Sequence, residues 1–320
     1  MIALVCLTGI CRADEMTYRL KWLFNTSVAG DIFAVDRGYF RAAGLDVIIK
    51  EGSPEKNAIK ELELGYADFG VASADQVIRA LDKGADVIVV AQLFQVNPMQ
   101  WIYRADRLGI QTLADLRGRR IGITYGGNDE TIMNVLLARA GLTPRDVKIF
   151  GVRFDFSPFL KKRVEIWPVY RNSQGVILAD KLAREGESVR FFNPADFGIN
   201  FVANSVVTSG KMKVRHPDRI RTFARALMTA WEAAMDPVNE DAVLAAVKQR
   251  DKGTEDRIRQ QQLESTRSLI RPSPDLPVGR IDRAAWQQTE SIMLEQGQIR
   301  GPVNVTSRLL TLDFFKEAIQ

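Results

Sequence analysis

Short, continuously apolar runs alternate along the chain with longer stretches whose apolar residues recur every three to four positions. This is the pattern of strands interleaved with helices. Residues 18–24 alternate and are rich in aromatic and aliphatic side chains, which predicts a strand. A helix is expected over 29–43, ended by Gly44, and a second strand over 45–50. Pro54 opens a helix at its first turn, with Ile59, Leu62 and Leu64 on its apolar face and Gly65 at its end. Residues 67–72 read as a short buried strand, and Ser73 caps a helix through Leu81 that stops at Gly84. The unbroken apolar run 87–94 suits a parallel strand covered on both faces.

The pattern restarts after Arg104. A short helix is expected at 112–116, a strand at 119–125, and a helix to Ala140 opened by Gly126, Gly127, Asn128 and Asp129. Then come a strand at 146–151, a helical turn at 158–162, a strand at 164–169, a helix at 173–185 and a strand at 188–192. Residues 204–320 read as mostly helical (217–235, 241–250, 255–270, 281–295 and 312–319), with the Pro-rich 271–277 as an irregular connector. Strands alternating with helices imply right-handed crossovers and mostly parallel sheets, so the fold class is α/β: two units and a helical C-terminal tail.

Composition narrows the chemistry. The chain has 320 residues, 46% hydrophobic and 26% charged, an ordinary globular mixture large enough to bury its own core. The net charge of +5, from 44 basic and 39 acidic residues, is small and spread out and does not imply nucleic-acid binding. Cys6 and Cys11 are the only cysteines and His216 the only histidine, which argues against a Cys/His zinc site and a His-based nucleophilic triad. His216 reads as the lead-in to a helix. Paired carboxylates need no local motif, so hydrolysis by that route stays open.

Residues 2–10 are apolar or small, the length of a secretory signal's hydrophobic core and too short to span a bilayer. Ala13 fits the last position before cleavage, which makes 1–13 a signal peptide and leaves a mature chain without cysteine. A basic start is missing, which suits a position inside a longer leader; the alternative is a buried first strand.

The turn Thr124-Tyr125-Gly126-Gly127-Asn128-Asp129 joins a strand to a helix N-terminus. Its glycines would let a ligand approach the backbone, and the first-turn N–H groups are donors. It is neither a Walker loop nor G-x-G-x-x-G. The plainer reading is a turn in which Asp129 complements the helix dipole. Trp22, Phe24, Phe94, Tyr125, Trp167 and Tyr170 stand near strand ends, where α/β sheets bind ligands, and could stack a planar ring or pack in the core. Asp31, in a first helical turn, either complements a dipole or meets a ligand amine. The run Lys161-Lys162-Arg163 reads as a solvated helix end.

Several stretches together resemble one family. They are Lys21-Trp22-Leu23-Phe24-Asn25, Val28-Ala29-Gly30-Asp31-Ile32-Phe33-Ala34, Gly65-Tyr66-Ala67-Asp68-Phe69-Gly70, Leu113-Ala114-Asp115-Leu116-Arg117-Gly118, Gly126-Gly127-Asn128-Asp129-Glu130 and Trp167-Pro168-Val169-Tyr170-Arg171-Asn172. In order and spacing, over about residues 17–210, the chain resembles the ABC-transporter periplasmic binding proteins of the thiamine-pyrimidine-precursor, sulfonate and nitrate group. The resemblance implies a two-lobed type II periplasmic binding fold, with lobe 1 at 17–102 plus 203–320 and lobe 2 at 103–202. The crossings are expected at 100–104 and 200–204. It implies a small-molecule ligand, an inner-membrane ABC permease partner, a monomer, no cofactor, no metal and no catalysis. Ligand residues then map to Trp22, Asn25, Ser73, Asp75, Gly126, Gly127, Asn128, Asp129, Trp167, Tyr170 and Asn172, with Asp31, Phe94 and Tyr125 as candidates from their positions. A pyrimidine-precursor-like ligand is favoured over an alkanesulfonate or other oxyanion by the aromatic residues. Asp31 stands where relatives carry an apolar or aromatic residue. Fungal relatives that synthesise the pyrimidine use a histidine and a cysteine cluster that this chain lacks. An exported sensor docking on a receptor is the remaining alternative.

Overall fold

A computed structural model describes residues 15–53, 55–152 and 155–316. The expected signal peptide and Pro54 lie outside the described residues. Ten strands are formed: β1 (Glu15–Arg19), β2 (Asp46–Lys50), β3 (Phe69–Ser73), β4 (Val87–Gln92), β5 (Met99–Arg104), β6 (Arg120–Ile123), β7 (Lys148–Gly151), β8 (Ile166–Tyr170), β9 (Val189–Phe192) and β10 (Asn204–Ser209), all among the described residues. They make two five-stranded sheets, ordered β2-β1-β3-β10-β4 and β7-β6-β8-β5-β9.

The two sheets have the same plan. β1 pairs in parallel with β2 and β3, and β6 with β7 and β8. The strand that arrives from the other sheet runs antiparallel: β10 to β3 and β4, β5 to β8 and β9. These two strands are what the sequence pattern does not reveal. Residues 100–104, expected as a crossing, lie in β5, so the chain passes between the sheets at 93–98 and returns at 193–203. β10 falls in a segment expected to be mostly helical. Its polar Ser205 and Thr208 are as buried as Val206 and Val207, so no alternation marks it. Thr208 Oγ1 satisfies its hydrogen-bonding capacity on Asp68 O at 2.7 Å.

The first strand ends earlier than expected, at Arg19, and 20–25 form an irregular loop. The expected helix over 29–43 is two helices, Ala29–Asp36 and Tyr39–Ala42, separated by Gly38 at φ +72°. That left-handed backbone is open to glycine at little cost and breaks the helix. The helix expected to open at Pro54 instead runs Ala58–Leu64: Asn57 Oδ1 accepts from the Ile59 and Lys60 N–H groups and starts it, and Gly65 at φ +74° ends it as expected.

The core has three parts. One lies on the first sheet, where the helix Pro217–Met235 brings Phe223 flat against Phe69, centroids 3.7 Å apart, and buries Trp231. A second joins the two sheets through Val77, Trp101, Ile121, Leu136 and Trp286. A third covers the outer face of the second sheet with Ile102, Phe159, Trp167 and Leu178. Each such large side chain contributes roughly 1.5–3 kcal/mol on burial. The helix Asp256–Ile270 packs its Leu263 and Leu269 into the first part while touching the second unit's helix Val176–Arg184.

Candidate ligand site between the sheets

The turns that follow the parallel strands β1, β3, β6 and β8 carry most of the expected ligand residues, at the carboxyl ends where α/β sheets bind ligands. The rims of the two units meet: the turn Thr26–Val28 packs against Arg171–Gly175, a π-helical turn after β8.

On the first rim, Trp22 is 42% and Leu23 51% exposed. Asn25 shapes the loop, because its Oδ1 accepts from Ser27 N at 2.8 Å and its Nδ2 donates to Leu23 O. Asp31 is fully buried and accepts hydrogen bonds from Tyr18 Oη at 2.8 Å and Trp231 Nε1 at 3.3 Å. Burial pushes its carboxyl up to about 7, against the lowering effect of those two bonds. The expectation of a ligand contact at Asp31 is therefore corrected: the helix Pro217–Met235 seals it in the core. Burial, then the Asp31 charge, also raises the Tyr18 phenol well above its usual range. Phe94 is likewise a core residue, 2% exposed beside the first sheet. Ser73 Oγ donates to Asp75, whose carboxylate pairs with Arg79. Arg79 donates to Gln298 Oε1 at 2.8 Å and Gln298 to Thr131 Oγ1, so Asp75 heads a polar bridge to the second unit.

On the second rim, Tyr125 is 66% exposed and lies over Gly151, where a Cβ would come within 2.8 Å of its Cε2. Gly126 holds φ +77°, and a Cβ on Gly127 would sit 2.4 Å from Asp129 Oδ1 and 2.9 Å from Thr124 O. Two of the loop's N–H groups already have carboxylate acceptors. Thr124 N donates to Asp129 Oδ2 at 2.6 Å and Gly126 N to Glu130 Oε2 at 2.7 Å. Burial raises the Asp129 carboxyl to about 6, opposed first by the Thr124 N–H bond. An anion at Thr124 N or Gly126 N would have to displace a carboxylate, and the two carboxylates beside the helix start make this rim acidic, which disfavours an oxyanion there. Asn128 opens the helix beside them, half-buried.

Trp167 is corrected as Phe94 is. It is 1% exposed because its register opposite Ile102 turns it to the outer face, against Phe156 and Phe159. Tyr170 is half-buried at the end of β8. Asn172 is buried, and its Nδ2 donates to Thr266 Oγ1 at 3.0 Å; Thr266 Oγ1 donates to Gln262 O, and Thr26 Oγ1 to Gln262 Oε1 at 3.0 Å. This relay, from one rim to the other through the helix Asp256–Ile270, was not anticipated. Its one sequence signal is that Gln262 and Thr266 interrupt the stripe Ile258, Gln262, Thr266, Ile270 at helical spacing. Outside the relay, Asp180 pairs with Arg257 across the same junction, its carboxyl held below the usual range by that guanidinium.

The model of one family, described as NMT1/THI5 like, matches residues 25–240. The chain belongs to the NMT1/THI5-like family. Within reach of it, the chain is 23% identical over 307 residues to the formylaminopyrimidine-binding protein of Halalkalibacterium halodurans, covering 93% of this chain and 91% of that one. It is 24% identical over 303 residues to the riboflavin-binding protein RibY of Chloroflexus aurantiacus, covering 91% and 84%. A 4-amino-5-hydroxymethyl-2-methylpyrimidine phosphate synthase of Saccharomyces cerevisiae matches at 23% over 236 residues, 70% of this chain and 68% of that one. Among solved structures, the periplasmic aliphatic sulphonate binding protein SsuA of Escherichia coli superposes with a TM-score of 0.73 at 16% identity, covering 93% and 92%. The NMT1/THI5-like chain thus has the two-lobed periplasmic binding protein fold, with a helical C-terminal region.

Proposed function

We propose that the protein is the periplasmic substrate-binding component of an ABC importer and closes its two units over a small polar aromatic or heterocyclic nutrient. One observation carries the choice of ligand: the facing rims offer exposed rings, Trp22 and Tyr125, while Asp129 and Glu130 occupy the N–H groups of Thr124 and Gly126 and make the loop's edge acidic. Aromatic walls with an acidic edge favour a neutral or cationic ring over a sulfonate. Relatives named for formylaminopyrimidine and riboflavin fit that class. The ligand-contacting set is Trp22, Tyr125, Gly126, Gly127, Asn128 and Tyr170, with Asn25, Ser73, Asp75, Asp129 and the buried Asn172 holding the loops in shape. Lobe 1 carries the first sheet and the C-terminal helices, and lobe 2 the second sheet. They hinge at the crossings 93–98 and 193–203, and an inner-membrane permease receives the ligand. Residues 1–13 act as the signal peptide.

Native mass spectrometry of freshly purified protein tests this without guessing the ligand. A heterocycle released on denaturation is the expected result. A panel of pyrimidines, flavins and sulfonates then ranks affinity by thermal shift, since a ligand at 100 times its dissociation constant adds roughly 2.7 kcal/mol. Tightest binding of a sulfonate refutes the ligand class, and turnover of a panel member refutes the transport role.

A further inference from the structure

The two units meet on both faces of the crossings, and the two junctions differ in kind. On one face, Val77 and Trp286 of the first unit share a continuous apolar core with Trp101, Ile121 and Leu136 of the second. On the other face the apolar clusters stay apart. Leu263 and Leu269 belong to the core of the first sheet, Leu178 and Leu182 to the outer cluster of the second. The helix Asp256–Ile270 nevertheless touches the helix Val176–Arg184 there, and the contacts are polar. Arg257 takes both carboxylate oxygens of Asp180, Nη2 donating to Oδ2 at 2.7 Å. Arg184 reaches the same Asp180 Oδ2 at 3.1 Å and Glu255 Oε2 at 3.5 Å. Glu255, Arg184, Asp180 and Arg257 thus form an alternating chain of charge, two residues from each unit.

The helix Asp256–Ile270 moves with the first unit. Leu263 and Leu269 anchor it in that unit's core, and Gln260 and Arg267 both donate to Glu240. Its C-terminal end is fastened to the first crossing, where Leu269 O accepts from Gln95 N at 2.9 Å and Val96 N at 3.0 Å. Thr266, which receives the Asn172 amide, lies about one turn from that fastening, whereas Arg257 lies about 18 Å along the helix, at 1.5 Å a residue. A rotation of the units about the crossings therefore moves the outer end of the helix several times farther than it moves Thr266. The shared apolar core on the opposite face cannot part without wetting buried surface, while an ion pair can be exchanged for water at small cost.

We infer that the chain Glu255–Arg184–Asp180–Arg257 is an electrostatic latch at the outer end of the helix Asp256–Ile270, which holds the two units together and parts when they open. The shared apolar core is the pivot, and the Asn172–Thr266 contact near the crossing stays made. The Asp180 side chain is 12% exposed and held by two guanidiniums, one of them bidentate, which is the geometry in which an ion pair near a surface has an effect. The latch sets how often the cleft opens, and salt weakens it. The inference rests on the reading of two units that close over a ligand and deepens it by naming the contact that regulates opening.

The test measures the separation of the units directly and needs no ligand. Spin labels are placed at Ile48→Cys and Lys148→Cys, exposed positions on the outermost strands β2 and β7, in the full chain carrying Cys6→Ser and Cys11→Ser. The protein is refolded from denaturant to free it of small molecules, and pulsed electron spin resonance reads the distance distribution. Arg257→Gln is expected to raise the ratio of long to short separations about twofold or more, the scale of one such pair. Asp180→Asn should do the same, and the double variant should add little to either, because both remove one contact. Raising salt from about 0.1 to about 1 M, which shortens the screening length from roughly 10 to roughly 3 Å, should open the wild type and barely move Arg257→Gln. Lys248→Gln is the control: it removes the same charge from the same end of the helix, but its partner Asp256 lies in the same unit. An unchanged distribution in Arg257→Gln, equal opening in Lys248→Gln, or additive effects of Arg257→Gln and Asp180→Asn would each overturn the latch. None of these outcomes bears on whether a ligand binds, which the co-purified small molecule decides separately.

Discussion

Asp31 and Asp129 occupy equivalent places in the two units. Each lies in the first turn of the helix that follows the sheet's second-position strand, β1 in one case and β6 in the other. Both are buried, and burial raises both carboxyls. Their partners differ. Asp31 is bonded by Tyr18 from its own strand and by Trp231 from a helix 200 residues away. Asp129 takes the N–H of Thr124, five residues back, and thereby shapes the loop that precedes it. A carboxylate in a first helical turn can thus tie a distant helix to a sheet or close a local loop. What decides is whether another helix covers the turn.

If that contrast holds, backbone space should matter far more around Asp31. A Cβ on Gly30 would lie 2.0 Å from Trp231 Cδ2, with no room between the helices. Gly30→Ala is expected to yield no folded protein, beyond the ~1–3 kcal/mol of ordinary overpacking. Gly127→Ala, meeting the Asp129 carboxylate at 2.4 Å and Thr124 O at 2.9 Å in a rim loop rather than between two packed helices, is expected to fold and to cost less. Denaturant titration that finds the two equally harmful would break the comparison.

The next largest effect is in pH dependence. Folded Asp31 keeps its proton to about pH 7, whereas the unfolded carboxyl loses it near 3.8. The folded state therefore binds more protons between these values, and its contribution to stability is full below pH 4 and lost as pH rises to about 7. At ~1.4 kcal/mol for each pKa unit, Asp31→Asn is expected to gain on the order of 4 kcal/mol over wild type at pH 8. At pH 4 it should be close to neutral. Urea midpoints that stay parallel across this range would show that Asp31 is not held as described.

Asp129→Asn should show the same sign over a shorter window, from about 4 to about 6, and a smaller gain at pH 8. Part of that gain is offset by a weaker acceptor for the Thr124 N–H. Ligand affinity separates the two sites further. Asp31→Asn should leave it unchanged. Tyr125→Ala should cost about 1 kcal/mol or more by removing an exposed ring. Calorimetry in which Asp31→Asn weakens binding and Tyr125→Ala does not would reverse the two roles. The smallest effect is Tyr18→Phe at pH 5, where loss of one hydrogen bond should cost about 1 kcal/mol in thermal unfolding.

Much of this molecule is legible in order of appearance. The sequence on its own determines where apolar periodicity changes from two to three or four, where Gly65 stops a helix, and that Gly126-Gly127 turns before a helix, whereas the start expected at Pro54 falls instead at Asn57. Those are local matters, settled by backbone sterics and by hydrogen bonds within a few residues. The identity of the antiparallel strands β5 and β10 is not local, because a central strand buried on both faces has no alternation to read.

The destinations of single side chains were decided only by tertiary structure. Trp22 and Tyr125 stay exposed, while Phe94 and Trp167, as aromatic and as near to strand ends, are in the core. Asn172 finds Thr266 across 94 residues of chain, and Thr26 finds Gln262 across 236. A side chain's local pattern sets which face of an element it occupies. Whether that face meets water, a ligand or a helix depends on packing from remote segments, and burial in turn sets charge and hydrogen-bonding state.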